Sequence, residues 1–269
     1  MNKSIFYLSL LKYFIKNPKN GVVTLQSKFE SLNKRKSQSS EKIQDMDMIN
    51  ALHLLFPNNS LSLNDLQNEL NELNEHKKNF FKKIENLEYP SKEKPYPANY
   101  SMDDKSNFFI YALCRITKPN IIVETGVAYG LSSMYILHAL HKNSIGKLYS
   151  FDSIFRPWES KKMIGSIIPD ELKANWEFIN ERSSDKLKPL LNKIGKVDIF
   201  IHDSLHTYRN MMYEFKTAWP FIKNNGFLIS DDISDNNAFA DFCTQNITNQ
   251  SITVKQEGIS KSSLGVIQK

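Results

Sequence analysis

Cysteine is nearly missing from this chain of 269 residues: Cys114 and Cys243 are the only two. Two thiols are too few for a disulfide framework or a thiolate zinc site, so a reducing compartment, the cytoplasm, is expected. A membrane-spanning run is also lacking. The apolar stretch IFYLSLLKYFI at residues 5–15 contains a lysine and falls far short of the roughly 20 residues needed to cross a bilayer. No small-residue cleavage site follows it, so it reads as an amphipathic helix rather than a signal peptide, with loose membrane contact as the lesser alternative. Acidic residues are in deficit, but only locally. Residues 1–120 carry 18 Lys+Arg against 13 Asp+Glu, whereas residues 121–269 carry 17 against 16. A solvated basic face explains this excess better than nucleic-acid binding does.

What is present suffices for a globular core: 41% hydrophobic, 24% charged and 12% aromatic residues. The first 60 residues mix short helical patterns with a polar connection around Ser37–Ser40. From Ser62, the positions Leu63, Leu66, Leu70, Leu73, Phe80, Ile84 and Leu87 lay one apolar stripe along a long helix, expected to pack on its own domain, with self-association of the N-terminal helices into a homo-oligomer as the lesser alternative. Pro90, Pro95 and Pro97 end it, which divides the chain into a helical extension, residues 1–95, and a second domain, residues 96–269. In the second domain short apolar runs (IIVET, KLYSFD, WEFIN, VDIFIHD, GFLISDD) alternate with amphipathic segments, including one near residues 158–167. That alternation predicts an α/β fold, a doubly wound and mostly parallel sheet whose ligands bind beyond the carboxyl ends of the strands.

The residues at those ends therefore matter most. The run IIVETGVAYGLSS, residues 121–133, closes a strand with Glu124, turns through Gly126 and Gly130, and opens a helix at Ser132 and Ser133. A buried carboxylate needs a partner, glycines allow close backbone approach, and a helix N-terminus suits an anionic group. Ser132 and Ser133 fit either as caps or as ligand donors. Asp152 ends the next strand a little over twenty residues on, where an acid can accept from a ribose diol of a dinucleotide or an adenosyl ligand. The triple-glycine turn of dinucleotide sites is lacking, since Ala128 stands at the middle glycine position of the alternative pattern.

VETGVAYGLSSMYILHAL, GKLYSFD, VDIFIHDSLHTYRNMMYEFKTAWPFI and NGFLISDDI together resemble the class I S-adenosylmethionine-dependent methyltransferases, specifically the small-molecule O-methyltransferases of sugar and antibiotic tailoring often called methyltransferase family 24. The resemblance spans roughly residues 95–269. It implies a Rossmann-like fold and transfer of a methyl group to a hydroxyl of a sugar or other small metabolite. It also implies that Glu124 lies near the methionine amino group, with Thr125, Gly126, Gly130, Ser132, Ser133 and Asp203 beside the cofactor and Asp152 on its ribose. Ser183 would neighbour the adenine or cap a helix. Asp203 and His206 would stand at the acceptor, His206 as general base or as an orienting histidine. Asp203, Asp231 and Asp232 at neighbouring strand ends repel one another unless a proton or a cation relieves them, so they are candidate ligands for Mg2+. His202 is expected to be structural, and His138 and His141 to lie on the surface. Two departures from the family pattern, Ala128 and the Asn225 that precedes Gly226, stand where glycines are usual. The rival readings are an NAD-linked oxidoreductase, disfavoured by the glycine pattern and Glu124, and a non-catalytic cofactor-binding scaffold, which would not need the carboxylate set.

Overall fold

The computed structural model of the chain describes residues 3–32, 44–98, 100–246, 250–255 and 263–269, and the polar connection at Ser37–Ser40 lies outside them. The N-terminal part forms α1 (Lys3–Lys16), α2 (Pro18–Leu32), a short strand β1 (Gln44–Met46), α3 (Met48–Leu55), α4 (Leu63–Asn68) and α5 (Asn71–Glu85). Next come α6 (Asp104–Thr117), β2 (Ile121–Thr125), α7 (Leu131–Asn143), β3 (Lys147–Phe151), β4 (Trp176–Ile179), α8 (Ser183–Ile194) and β5 (Val197–His202). The chain continues with α9 (Tyr208–Ala218), β6 (Ile222–Ser230), α10 (Ala238–Gln245), β7 (Gln250–Lys255) and β8 (Ser263–Gln268).

Eight strands form one sheet in the order β1-β7-β8-β6-β5-β2-β3-β4. All pairings are parallel except those of β8, which runs antiparallel to both β6 and β7. From β2 the chain proceeds to β3 and β4 on one side, then returns to add β5 on the other. That reversal is the switch point at which open α/β sheets leave a crevice for ligands. Each sheet face is covered by helices: α6 and α7 pack on Ile122 and Leu148, α8 and α9 on Val123 and Phe200. The α/β expectation is met, with β1, β7 and β8 added beyond the strands read from the sequence.

The extension is more tightly joined to the sheet than an all-helical appendage would be. Strand β1 extends the sheet edge beside β7, and Leu52, Leu66, Leu70 and Leu73 share a core with Phe109, Leu113 and Leu137. The stripe read as one long helix breaks between α4 and α5 at Glu69–Leu70. The Glu69 carboxylate takes both Arg115 Nε (2.7 Å) and Nη2 (2.9 Å), accepts the Tyr111 hydroxyl, and is held down to about 2, first by Arg115. The Glu69 carbonyl meets His138 Nε2 at 2.9 Å. This contact corrects the expectation that His138 is a surface residue. It is buried, stacked on Tyr111, because α4 covers α7. The segment at 158–167 forms only one helical turn, Lys161–Met163. Its following backbone instead bonds the turn before α7, Gly165 N donating to Ala128 O and Ile167 N to Tyr129 O, each at 3.0 Å.

Candidate active site

The strand-end turn Thr125–Gly130 is fixed by backbone geometry. A β-carbon on Gly126, at φ +87, would sit 1.8 Å from the Asp203 carbonyl oxygen, so only glycine fits between β2 and the end of β5. Ala128 keeps the left-handed conformation of the glycine it replaces, at φ +48, and Asn225 does the same at φ +61. Neither departure from the family pattern changes the turn; each is a side chain held where glycine is cheaper by roughly 1 kcal/mol. Asp152 braces this turn. Its Oδ2 accepts from the amides of Val127 (3.0 Å) and Ala128 (2.8 Å), and its Oδ1 from Ser153 (2.6 Å). Burial pushes the Asp152 carboxyl up while these amides act against the rise.

Two buried glutamates lie beneath the strand ends. Glu124, fully buried, receives the hydroxyls of Ser132 (2.6 Å), Ser133 (2.5 Å) and Ser150 (2.8 Å). Ser132 and Ser133 thus open α7 as donors to Glu124, and Gly130 occupies the cap position. Burial raises the Glu124 carboxyl, and the three hydroxyls moderate the rise. Glu214, unforeseen in the sequence, projects from α9 and gathers the ends of β2 and β5. Its Oε2 meets Thr125 Oγ1 and His202 Nδ1, both at 2.6 Å; its Oε1 accepts from Ser183 Oγ (2.5 Å), Ser204 Oγ (2.9 Å) and Asn210 Nδ2 (3.3 Å). Burial alone would raise this carboxyl, but His202 and the hydroxyls hold it below its usual value. His202 is therefore structural, as expected. Ser183, at the first turn of α8, donates to Glu214 and lines the cleft described below.

Beyond β5 and β6, Asp203, His206 and Asp231 bring one donor atom each within 4.8 Å of one another, a grouping able to hold a metal ion. His206 Nε2 is 3.7 Å from Asp203 Oδ1 and its Nδ1 is 3.5 Å from Asp232 Oδ2, so Asp203 and Asp232 face different nitrogens of the imidazole. Burial and then the charge of Asp231 drive the Asp203 carboxyl far above its usual value. His206 is pushed down to about 4, first by burial and then by His202, which leaves a neutral imidazole whose buried Nε2 has no hydrogen-bond partner among the described residues.

These groups open into a single cleft of about 1810 Å³, lined by Gly126, Ala128, Asp152, Ser183, Asp203, His206, Asp231 and Asp232. Ligand sites usually occupy about 300–1,000 Å³, so the space exceeds what one small molecule needs. Its opposite wall comes from the N-terminus, where Tyr7, Leu10, Phe14, Val23 and Ser27 of α1 and α2 line the same cleft. The hairpin is anchored on the loops after β3 and β4. Tyr13 Oη and Asn20 Nδ2 each donate to Ile154 O at 3.1 Å, and Arg182, stacked over Phe155, donates to Asn20 Oδ1. Arginine is rare here, five residues against 30 lysines, yet Arg156, Arg182 and Arg209 all line the cleft. That bias was readable in the sequence. The hairpin's position was not.

The model of methyltransferase family 24, a methyltransferase domain, matches residues 123–233, which include Glu124, Asp152, Asp203, His206 and both acids after β6. No curated protein matches the sequence. Among solved structures, an O-methyltransferase from Bacillus cereus in complex with SAH aligns at TM-score 0.54 and 16% identity, over 64% of this chain and 84% of that one. The O-methyltransferase TomG from Streptomyces achromogenes, involved in tomaymycin synthesis and solved with SAM, aligns at TM-score 0.52 and 12% identity, over 83% and 98%. The SAH-bound methyltransferase PaMTH1 from Podospora anserina aligns at TM-score 0.52 and 13% identity, over 82% and 94%. At these identities the likeness is one of fold, while the family match speaks to the chemistry at the strand ends. Residues 123–233 thus match a methyltransferase domain, on a fold shared with these solved methyltransferases.

Proposed function

We propose that the chain methylates a hydroxyl of a sugar or another small hydroxylated metabolite. The observation that carries this reading is the convergence of the Gly126 turn, Asp152 and the Asp203–His206–Asp231 group on one cleft with room for two ligands. Two of the three solved structures, from Bacillus cereus and Streptomyces achromogenes, are named O-methyltransferases, which supports oxygen as the acceptor.

S-adenosylmethionine, when bound, supplies a methyl carbon made electrophilic by the sulfonium; everything else falls to the chain. Gly126 lets the turn pack against the Asp203 carbonyl at the edge of the cleft, and Asp152 has one carboxylate lone pair beyond the three that its amide donors occupy, enough to accept from a ribose hydroxyl. His206, neutral at pH 7, would accept the acceptor's hydroxyl proton at Nε2 as the methyl–oxygen bond replaces the methyl–sulfur bond, whose electron pair would leave with sulfur as a neutral thioether. Asp203 and Asp232, 3.7 and 3.5 Å from its two nitrogens, then stabilise the resulting imidazolium.

A second reading rests on the neighbouring carboxylates of Asp203 and Asp231, each buried enough that a shared proton or a cation must relieve them. Their donors, with His206, fit a divalent ion such as Mg2+, which would supply positive charge to acidify the acceptor hydroxyl. Calorimetric titration with S-adenosylmethionine tests the cofactor half: Asp152→Ala is expected to weaken binding about tenfold or more, as loss of a charged hydrogen bond does. Undiminished binding would sink the assignment. Methyl transfer to a panel of hydroxylated small molecules, with and without a chelator, separates the two readings of the acceptor half. Unchanged turnover in chelator together with an intact Asp231→Ala enzyme removes the metal.

A further inference from the structure

The α1–α2 hairpin has two unlike sides. One lines the cleft through Tyr7, Leu10, Phe14, Val23 and Ser27 and is tied down by Tyr13, Asn20 and Arg182. The other carries a row of apolar side chains facing water. On α1, Leu8, Leu11 and Ile15 are 53%, 58% and 72% exposed; on α2, Val22, Leu25 and Phe29 are 52%, 59% and 64% exposed. Both triplets follow the i, i+3, i+7 spacing that puts three side chains on one helix face. Soluble monomers rarely leave so many large apolar groups together without a use for them.

Charge decides what covers them. Helices α1 and α2 contain Lys3, Lys12, Lys16, Lys19 and Lys28 against a single acid, Glu30, and the sequence continues directly into Lys34, Arg35 and Lys36. Lys12, Lys16 and Lys19 are exposed and neighbour the apolar rows in sequence. A second copy of the hairpin would bring the same positive charge against itself. An anionic surface is complementary. Lysine stems bury along apolar material while their heads stay with phosphates, the arrangement of helices that lie in a bilayer's headgroup region. No helix among the described residues is long and apolar enough to cross a membrane, so the contact would be peripheral.

We infer that the outer face of the α1–α2 hairpin docks the protein on an anionic phospholipid surface. Leu8, Leu11, Ile15, Val22, Leu25 and Phe29 enter the headgroup region, and Lys12, Lys16 and Lys19 meet lipid phosphates. Because the hairpin's inner side walls the cleft, docking would bring the cleft's N-terminal wall to the membrane surface. The inference does not depend on the methyl-transfer reading, and its test needs no acceptor.

Flotation of the full-length protein with vesicles reads it directly. Binding is expected to vesicles of phosphatidylcholine mixed with phosphatidylserine, much less to phosphatidylcholine alone, and to fall as salt is raised. The triple variant Lys12→Glu, Lys16→Glu, Lys19→Glu should lose at least about a hundredfold of that binding, each lysine near an anionic surface being worth about 1 kcal/mol or a factor of five. Leu11→Ser with Ile15→Ser should lose binding with its salt dependence unchanged in sign. All these positions are exposed, so an unaltered melting temperature confirms that the variants fold. Failure of wild type to float with anionic vesicles at low salt overturns the proposal. So does a concentration-dependent dimer that Leu11→Ser with Ile15→Ser dissociates while vesicle binding persists, which would assign the apolar face to a second copy.

Discussion

The two faces of the sheet treat the same buried acid in opposite ways. Glu124, from β2, lies on the α7 face, and Glu214, from α9, lies on the other; both are fully buried just below the strand ends. Each is saturated with donors: three serine hydroxyls for Glu124, and His202 with Thr125, Ser183, Ser204 and Asn210 for Glu214. Yet the Glu124 carboxyl is raised and the Glu214 carboxyl is lowered. Hydrogen bonds from hydroxyls moderate the cost of burying a negative charge. A neighbouring imidazole reverses it. Burial therefore does not set the direction of a carboxyl's shift until the partners are counted: it is upward on the α7 face and downward on the α9 face.

Removing Glu214 should have the largest effect. Glu214→Ala leaves His202, Thr125, Ser183 and Ser204 without their common acceptor in a buried site, and breaking a buried pair of this kind costs about 3–5 kcal/mol. Denaturant unfolding should register that loss. A cost below about 1 kcal/mol, the range of a single neutral hydrogen bond, would mean that the hub does not hold the strand ends.

The amide substitutions sharpen the comparison, because they separate charge from shape. A raised carboxyl binds more protons folded than unfolded, so the contribution of Glu124 is full below its ordinary value of 4.5 and fades as pH rises through the folded value. A lowered one behaves in reverse: the contribution of Glu214 is present above 4.5 and lost as pH falls through its folded value. Glu124→Gln should therefore cost little at pH 7, about 1 kcal/mol, whereas Glu214→Gln should cost about 2–3 kcal/mol by unpairing the His202 bond. Stability measured from pH 4 upward should lose opposite slopes in the two variants. Equal slopes would show that both acids share one charge state.

The sequence made one side of this comparison visible and hid the other. Glu124 stands out because it ends an apolar strand before glycines, and the strand-end positions of Asp152, Asp203 and Asp231 follow from the same alternation. Glu214 sits among Tyr208, Met211, Met212, Phe215 and Trp219, a stripe that reads as core, and the clue was a charge inside that stripe. Its five donors come from the ends of β2 and β5, the loop after β5 and two helices, and no local pattern encodes such convergence. His138 was misread for a similar reason: what buries it is α4, some seventy residues away, and the break between α4 and α5 is made by Arg115 and Tyr111 pulling on Glu69. Where a helix surface is decided by a distant segment, periodicity describes a face without saying what covers it.

The smallest expected effects come from single hydroxyls, and they test whether the two faces differ in kind or only in donor count. Ser150 donates to Glu124 at 2.8 Å and also accepts from Trp176 Nε1 at 3.0 Å. Ser204 donates to Glu214 at 2.9 Å and accepts from Asn210 at 3.1 Å. Each Ser→Ala change removes one donor and one acceptor, so counting alone predicts equal losses of about 1 kcal/mol. The electrostatics predict otherwise at neutral pH. A hydroxyl bonded to an ionised carboxylate is worth about 1.5–3 kcal/mol, whereas one bonded to a neutral acid stays near 1 kcal/mol. Thermal unfolding at pH 7 should therefore show Ser204→Ala as the costlier change, although Ser204 is the less buried of the two. If Ser150→Ala costs as much or more, Glu124 carries its charge at neutral pH despite its burial, and the contrast between the two faces is one of geometry rather than protonation.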